Sequence, residues 1–358
     1  SFPPAYSATL NRLIANRGPS SVKDSSLTLN SKYIRGISSV LHLRGALTSQ
    51  PLESSRFILQ WNGEVFGTAC SENVDSLLES NDTQFIFDQI HTFGIKHALA
   101  NIKGPWAISV IDKENEYVYF ARDYFGRRSL LYSQSADTFL ISSVASNHKS
   151  LDSPWIEATS GLLYKLDLRS FCLSSEPVQQ MKYIISSIDD YFDTGDTEKE
   201  FQFVKEGLAH LRESVRKRII YCNSDVIGIM FSGGIDSLLI AAIAASIIAE
   251  ESLDLELDLI NVAFEQPSLL KSLNLMEATS EYYENVPDRI GGQLAFLELG
   301  KLFPLVKMNF VRLNITIHDY EQHKDEIIQL INPNRTVMDL SIGAVLWFGG
   351  RCALKEGI

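Results

Sequence analysis

The hydrophobic positions in the first half of the chain come in short runs that are typical of β-strands. Each run is rich in branched and aromatic residues and is bounded by polar residues. The runs cover 56–61, 106–111, 117–122 and 138–143. Turn-forming residues such as Asn62-Gly63 and 112–115 separate them, which predicts an antiparallel sheet. Apolar residues three or four positions apart predict two helices in the same half, over 6–15 and 83–93.

The second half instead alternates between strand-like and helix-like segments. Its strand-like runs cover 226–231, 257–264 and 307–315. Its helical segments cover 201–219, 236–249, 291–303, 319–331 and 339–350. Alternation of this kind predicts a parallel sheet with helices on its faces, in which ligands bind beyond the carboxyl ends of the strands.

The length of 358 residues is large for one hydrophobic core, so two domains are expected. The polar, turn-rich stretch 176–198 is predicted to link them. This leaves an α+β domain over 1–175 and an α/β parallel-sheet domain over 199–358.

Charge and cysteine content exclude several classes of function. The net charge of −12 argues against a general nucleic-acid surface, which requires a basic face. No apolar run reaches the roughly 18 residues of a membrane span, so we expect no membrane association. The four cysteines form no CxxC pair and the histidines no HExxH phrase, which predicts reduced thiols and no structural metal. Because the sequence also begins without a signal-peptide pattern, we expect a cytoplasmic protein.

One polar phrase follows the predicted strand 226–231 and opens the next helix. It reads Ser232-Gly233-Gly234-Ile235-Asp236-Ser237. Two glycines allow a tight turn, the helix N-terminus offers unpaired N–H groups, and the serines add hydroxyl donors. This combination predicts a site for an anion such as a phosphate chain, although no lysine follows as in a P-loop. The alternative is a helix-capping turn in which Asp236 and Ser237 are acceptors.

This phrase resembles the PP-loop of the ATP pyrophosphatases, which cleave ATP to AMP and pyrophosphate while adenylating a substrate. The resemblance implies an ATP-binding loop made of Ser232, Gly233, Gly234, Asp236 and Ser237. It also implies that Asp236 lies near a Mg²⁺ ion on the phosphates. Val262 and Ala263, in the next predicted strand, match the place where that family reads adenine through backbone groups.

A second, ordered set of phrases lies in the first half. They are Arg-Gly-Pro at 17–19, His-Leu-Arg at 42–44, Gln-Pro-Leu at 50–52, Asn-Gly-Glu-Val-Phe at 62–66, Asn-Asp-Thr at 81–83 and Ala-Arg-Asp-Tyr-Phe-Gly-Arg-Arg at 121–128. In this order they resemble the N-terminal-nucleophile class of glutamine amidotransferases, which implies an α+β sandwich. With the PP-loop, nearly the whole chain is similar to glutamine-dependent asparagine synthetase and looks closest to the divergent asparagine synthetase domain-containing proteins.

The resemblance assigns roles in binding glutamine. Arg44 matches the arginine that pairs with the α-carboxylate, and Asp82 matches the carboxylate that pairs with the α-ammonium. Asn62 and Gly63 match the oxyanion-hole pair, which is a side-chain amide and a backbone N–H. The structural alternatives are a turn residue for Asn62, a helix N-cap for Asp82 and a strand-edge charge for Arg44.

The chain departs from the family pattern near both ends. When the Arg-Gly-Pro phrase is aligned, the family's nucleophilic cysteine falls a few residues before Ser1, and Cys70 lies past the Asn-Gly-Glu phrase. We therefore expect the numbering to start after the nucleophile, the alternative being an inactive glutaminase. The SGxGxDE segment that completes the pyrophosphate site of synthetases does not occur before Ile358.

A third departure concerns the acceptor. Asparagine synthetases carry Thr-x-x-Arg-x-Ser where this chain has Thr336, Asp339 and Ser341. Asp339 in place of arginine reverses a charge beside the expected acceptor. This predicts that aspartate is a poor acceptor unless a cation such as Arg289 or Arg335 neutralises Asp339.

The sequence as a whole predicts an ATP-dependent amidotransferase with glutamine as the amide donor. Ammonia released in the first domain would pass to the second. There a carboxylate, aspartate or a relative, would be activated as an acyl-adenylate and converted to an amide, with ATP and Mg²⁺. The alternative is a catalytically degenerate member that acts as a binding scaffold, because a fold alone does not determine function.

Overall fold

The computed structural model describes residues 4–69, 81–145, 154–178, 197–272, 278–334 and 336–351. The chain divides into two compact units, residues 1–184 and 185–358. The division falls inside the stretch 176–198, most of which lies outside the described residues.

The first unit is built mainly from short strands. Its helices are α1 (Pro4–Ala15), α2 (Asp82–Phe93) and α3 (Ile95–Ala100). Its strands are β1 (Ser21–Leu29), β2 (Lys32–Val40), β3 (Leu52–Glu53), β4 (Phe57–Gly63), β5 (Gly67–Thr68), β6 (Ile102–Lys103), β7 (Trp106–Asp112), β8 (Tyr117–Arg122), β9 (Leu131–Gln134), β10 (Phe139–Ser142), β11 (Ile156–Glu157), β12 (Leu162–Asp167) and β13 (Leu173–Pro177). Strands in the order β13-β12-β8-β7-β4-β3 form one antiparallel sheet, called the central sheet below. The remaining strands form a β1–β2 hairpin, a β10-β9-β11 sheet and a β5–β6 pair.

The central sheet lies between helices and a second layer of strands. On one face, the ring of Phe57 in β4 packs on His91 of α2, with centroids 5.0 Å apart. On the other face, Gln60 Nε2 donates to Ser38 Oγ of the β1–β2 hairpin at 2.8 Å. Asn62 shares the face of Gln60, because side chains alternate along a strand. The α+β sandwich predicted for this half is therefore confirmed.

This unit differs from the sequence prediction in several features, since α3 and the strands β3, β5, β6, β9 and β11–β13 were not predicted, and two further differences have a clear physical reason. Asn62-Gly63 is not a turn: β4 continues through both residues and pairs them with Ala107 and Trp106 of β7. The β1–β2 hairpin was not predicted, because its strands are rich in polar residues and their few apolar residues are unevenly spaced, so the sequence lacks the clear alternation of a half-buried strand.

The second unit contains a parallel sheet. Its strands, in sheet order, are β14 (Val226–Met230), β15 (Glu256–Phe264) and β16 (Lys307–Ile315). Its helices are α4 (Thr197–Ile220), α5 (Ile235–Glu250), α6 (Pro267–Ser272), α7 (Ser280–Glu284), α8 (Pro287–Leu302), α9 (Ile317–Ile331) and α10 (Val337–Arg351). The predicted alternation of strands and helices is confirmed, with small shifts at the ends of the elements, whereas the short helices α6 and α7 were not predicted.

The core of the second unit lies between α5 and the parallel sheet. α5 is apolar on nearly all sides, which is typical of a buried helix. Its fully buried Ala245 and Ile247 belong to the same core as Leu257 and Leu259 of β15. Because α5 follows β14 and packs on the sheet, its N-terminus lies at the carboxyl end of β14. Within the described residues, no helix is both long enough and apolar enough to cross a membrane.

Candidate glutamine and nucleotide sites

Arg44 and Asp82 form a buried ion pair in the first unit. Arg44 Nε donates to Asp82 Oδ1 at 2.8 Å, and Nη2 donates to the same oxygen. Arg44 Nη2 also donates to Val65 O at 2.7 Å, while Val65 N donates to Asp82 Oδ2 at 2.8 Å. Both charged residues are about 5% exposed. The two predicted glutamine-binding residues are thus direct partners.

The start of α2 places the Asp82 carboxylate. Asn81, not Asp82, is the N-cap, and its side chain accepts from Thr83 N at 2.8 Å. The predicted alternative of Asp82 as a helix cap is therefore wrong. Because the cap is supplied by the preceding residue, the Asp82 carboxylate points to Arg44 instead. An acidic residue in the first turn also suits the helix dipole.

Gln50 fastens α2 to β4, a role that the sequence analysis missed. Its Oε1 accepts from Trp61 N at 2.7 Å, and its Nε2 donates to Trp61 O at 2.9 Å and to Thr83 Oγ1 at 3.2 Å. One buried amide therefore holds the residue before Asn62 and the residue after Asp82. The Gln-Pro-Leu phrase was the available signal.

Asn62 and Gly63 end β4 on the edge of a large cavity. This cavity, of about 1060 Å³, is lined by Asn62, Gly63, Arg44 and Asp82 among others. A Cβ at Gly63 would lie 2.6 Å from Pro105 O, so no larger residue fits without displacement of the backbone. All four residues predicted to bind glutamine therefore border one space.

Burial controls the charge of Asp82. Removal from water raises the pKa of the Asp82 carboxyl, while the charge and hydrogen bonds of Arg44 oppose that rise. A ligand ammonium beside Asp82 would favour the ionised form. Binding of such a ligand is therefore coupled to the loss of a proton from Asp82.

The Ala-Arg-Asp phrase of 121–123 has a structural role. The Asp123 carboxylate accepts from the backbone N–H of Trp106 at 3.2 Å, of Phe125 at 3.1 Å and of Arg127 at 3.0 Å. These bonds fix the loop after β8 against the start of β7. Beside the cavity, Arg128 Nη2 donates to Glu64 Oε2 at 3.2 Å.

The second candidate site is the Gly-Gly loop, residues 232–237, between β14 and α5. Gly234 is the N-cap of α5, and its N–H donates to Ser232 Oγ at 3.3 Å. The Oγ atoms of Ser232 and Ser237 are 3.4 Å apart. Gly233 has φ +84°, a conformation that side chains disfavour. Hydroxyls and a helix N-terminus thus converge on one turn, as an anion site requires.

Val262 and Ala263 lie beside this loop but face opposite ways. Phe231 N donates to Ile260 O at 2.7 Å, after which the chain leaves the sheet. Val262 is two residues beyond Ile260, so its backbone groups project to the same side, next to the Gly-Gly loop. Both residues are in register with β16, but the backbone groups of Ala263 project toward that strand, because backbone direction alternates along β15. Of the two predicted adenine-reading residues, Val262 has the better placed backbone.

The loop supplies a single carboxylate for a metal. The exposed Asp236 lies in the first turn of α5, and the described residues contain no cluster of three His, Cys, Asp or Glu side chains that could hold an ion. Mg²⁺ is commonly bound by one or two carboxylates together with substrate phosphates. Asp236 fits that mode of binding, in which most ligands come from the nucleotide and water.

Asp339 takes part in a helix cap that the sequence analysis did not anticipate. Thr336 Oγ1 donates to Asp339 Oδ2 at 2.6 Å, and Asp339 N donates to Thr336 Oγ1 at 3.1 Å. This capping box opens α10. Arg289, considered above as a counter-ion for Asp339, pairs with Glu284 at 3.1 Å instead. Arg335 lies outside the described residues.

The cysteines contribute nothing to either site within the described residues. Cys172 and Cys222 form no disulfide. Cys70 and Cys352 lie outside the described residues.

Comparison with known proteins finds one matching domain and several similar proteins. Residues 8–168 match the glutamine amidotransferase domain. The chain is 27% identical over 425 residues to asparagine synthetase domain-containing protein 1 of Homo sapiens, covering 87% of this chain and 65% of that protein. It is 30% identical over 353 residues to an asparagine synthetase domain-containing protein of Saccharomyces cerevisiae, covering 94% of this chain and 62% of that protein.

A solved glutamine phosphoribosylpyrophosphate amidotransferase from B. subtilis, complexed with ADP and GMP, aligns with 72% of this chain and 63% of its own, at a TM-score of 0.33 and 16% identity. The chain spans just under two thirds of the length of the two curated relatives. The chain is thus similar over most of its length to curated asparagine synthetase domain-containing proteins, and residues 8–168 match a glutamine amidotransferase domain.

Proposed function

We propose that this chain takes part in glutamine-dependent, ATP-consuming formation of an amide on a carboxylate. The observation that carries the proposal is the buried Arg44–Asp82 pair beside Asn62 and Gly63 in one cavity. An α-amino acid presents one carboxylate and one ammonium at fixed spacing. A guanidinium and a carboxylate held side by side complement both charges.

The buried pair suits a small zwitterion for energetic reasons. Charges interact more strongly away from water. Because Gln50 and Asn81 already hold the surrounding backbone, little side-chain ordering remains to be done on binding. The remainder of glutamine, its side-chain amide, can then extend toward Asn62 and Gly63.

Asn62 and Gly63 would stabilise the reacting amide. Nucleophilic attack on the glutamine δ-carbonyl carbon moves an electron pair to its oxygen. The Asn62 side-chain amide and the Gly63 N–H would donate to this oxyanion, and loss of one such donor commonly lowers the rate about 10²–10³-fold. The proton given up by the nucleophile passes to the departing nitrogen, so that collapse of the tetrahedral intermediate releases ammonia and leaves the acyl group on the nucleophile. Water then hydrolyses this intermediate to glutamate.

The second unit would use ATP to activate the acceptor. We propose that it is an ATP pyrophosphatase domain in which Ser232, Ser237 and the N-terminus of α5 hold the phosphates and the Val262 backbone contacts adenine. The acceptor carboxylate attacks the α-phosphorus, pyrophosphate leaves, and ammonia then displaces AMP from the acyl-adenylate to give the amide. Bound Mg²⁺, with Asp236 as its protein ligand, would offset the phosphate charge.

The two halves of this proposal can be tested separately on the full-length protein. Ammonia release from L-glutamine alone reports the first unit. Pyrophosphate release from Mg-ATP, with ammonium and a panel of carboxylates including aspartate, reports the second. We expect both activities, and we expect pyrophosphate release to depend on one carboxylate compound of the panel. If glutamine and Mg-ATP bind but neither product forms, the scaffold alternative is correct.

A further inference from the structure

A buried amide ties the Gly-Gly loop to the helix behind it. Asn261, in β15, is 1% exposed. Its Nδ2 donates to Phe231 O at 2.8 Å and to Asp288 O at 3.0 Å. Phe231 immediately precedes the loop, and Asp288 lies in the first turn of α8. A single side chain therefore sets the distance between the end of β14 and the start of α8.

Arg289 sets the orientation of that amide. Its guanidinium is fully buried, and its Nε donates to Asn261 Oδ1 at 2.7 Å. Since a guanidinium can only donate, Asn261 must turn its oxygen to Arg289 and its NH₂ to the two carbonyls. Arg289 is in turn held by Glu284 at 3.1 Å and by Leu313 O at 3.1 Å.

Glycines bring the loop and α8 into backbone contact. A Cβ on Gly233 would lie 2.3 Å from Gly291 C and from Gly292 N. A Cβ on Gly292 would lie 2.7 Å from Asn261 Nδ2. The loop therefore packs directly against α8, and Asn261 holds the residue that precedes it. These contacts fix the loop conformation, including φ +84° at Gly233.

We propose that Asn261 and Arg289 are positioning residues, which hold the Gly-Gly loop in the shape that receives the phosphates of ATP. This inference rests on the ATP binding proposed above. Both side chains are buried, so we expect neither to touch the ligand. They act by fixing Phe231 O and the start of α8, so that the loop pays little ordering cost when a nucleotide binds. A fully buried arginine is costly to retain unless such contacts use it.

The variants can separate positioning from folding. Asn261→Asp keeps an oxygen for Arg289 but removes both donations to backbone carbonyls. Asn261→Leu removes the whole network, and Arg289→Lys keeps the charge but loses the fork. Arg312→Gln is the matched control. Arg312 Nε lies 3.5 Å from Glu284 Oε1, so the control perturbs the same carboxylate without touching Asn261.

The experiment measures Mg-ATP affinity by calorimetry on full-length variants, together with hydrogen exchange of the segment 231–238 and of β16. For Asn261→Asp we expect at least tenfold weaker Mg-ATP binding and faster exchange in 231–238, with exchange in β16 close to wild type. The unfolding temperature should fall, because two buried carbonyls lose their donor. Arg312→Gln should match wild type in Mg-ATP affinity, in hydrogen exchange of 231–238 and of β16, and in unfolding temperature.

The outcomes distinguish this inference from the proposed function. Mg-ATP binding that Asn261→Asp and Asn261→Leu both leave unchanged would overturn the positioning role alone. Hydrogen exchange that rises equally in 231–238 and in β16 would show that Asn261 and Arg289 have a general structural role, and it would overturn the positioning role as well. If wild type itself binds no Mg-ATP, the proposed ATP function fails, and this inference fails with it.

Discussion

Arg44 and Asp82, which are 38 residues apart in the sequence, meet in a buried ion pair with Nε 2.8 Å from Oδ1. Removing one member of such a pair leaves an uncompensated buried charge, which is strongly destabilising. A bound α-amino acid adds one charge of each sign. It can therefore enter this site without leaving the charge of Arg44 or of Asp82 uncompensated. The ion pair thus explains how both side chains can be buried and why the site is proposed to select a zwitterion.

Glutamine affinity should fall at acidic pH. Burial raises the pKa of Asp82, and the substrate ammonium needs the ionised carboxylate. As the pH falls through that raised pKa, the dissociation constant of L-glutamine should rise, approaching about tenfold per pH unit. The ammonium of glutamine itself stays protonated over this range. Calorimetry between neutral and mildly acidic pH measures the slope.

Asp82 makes the stability of the fold depend on pH in the opposite direction to glutamine affinity. A carboxyl whose pKa is raised on folding stabilises the protein at low pH, and this contribution is lost as the pH rises through that pKa. Weak binding at acidic pH therefore cannot come from unfolding driven by Asp82. Asp82→Asn should bind weakly at every pH and show a flat profile. A pH slope that persists in this variant would assign the titration to another group.

Gly233 and Gly234 should tolerate substitution very differently. Gly233→Ala would need φ +84° and would place a Cβ 2.3 Å from the backbone of α8. Gly234 has φ −68°, and its Cβ would meet only Ser232 Oγ at 3.3 Å. We expect Gly233→Ala to weaken Mg-ATP binding at least about tenfold and Gly234→Ala to have little effect. A bulkier residue at 234 would crowd Ser232.

Asp236→Ala in the same loop should also weaken Mg-ATP binding, by about tenfold or more, because a charge-assisted contact is worth ~1.5–3 kcal/mol. The affinity for ATP without Mg²⁺ should change less. Equal affinities of wild type and Asp236→Ala for Mg-ATP would remove Asp236 from the metal site.

Much of the second unit could be predicted from the sequence, because its signals are local. The phrase from Ser232 to Ser237 stands between an apolar run and an apolar helix, so its place at a strand end follows from neighbouring residues alone. The Asn261–Arg289 contact could not be predicted. Its partners are 28 residues apart and meet only after the parallel sheet has formed.

In the first unit, too, local features could be predicted from the sequence and long-range contacts could not. The ordered phrases pointed to Arg44, Asn62 and Asp82, but the bond network of Gln50 joins three segments that only the fold brings together. The sequence wrongly predicts a turn at Asn62-Gly63 because the dipeptide favours turns locally, whereas tertiary pairing with β7 keeps it extended. The Thr336–Asp339 cap was visible as Thr-x-x-Asp, but its charge alone was considered.

Asp339 should influence both stability and acceptor choice. Thr336→Ala removes the capping box and keeps the charge, and it should cost ~0.5–2 kcal/mol of stability. Asp339→Asn removes the charge. If Asp339 repels a dicarboxylic acceptor, by ~1–4 kcal/mol at ~4 Å, only Asp339→Asn should increase aspartate-dependent pyrophosphate release. Rapid, aspartate-specific amide formation by wild type would show that Asp339 does not set the acceptor.

Equilibrium binding of L-glutamine, measured by calorimetry, tests the central claim most directly. Wild type should bind, and Arg44→Lys should bind at least about tenfold more weakly, because lysine keeps the charge but cannot form the two-pronged contact. Arg56→Lys is the control, since Arg56 pairs with Asp112 at 3.1 Å outside the cavity lining, and it should match wild type. No binding by wild type, or equal affinity in Arg44→Lys and Arg56→Lys, would contradict the assignment of this cavity to glutamine.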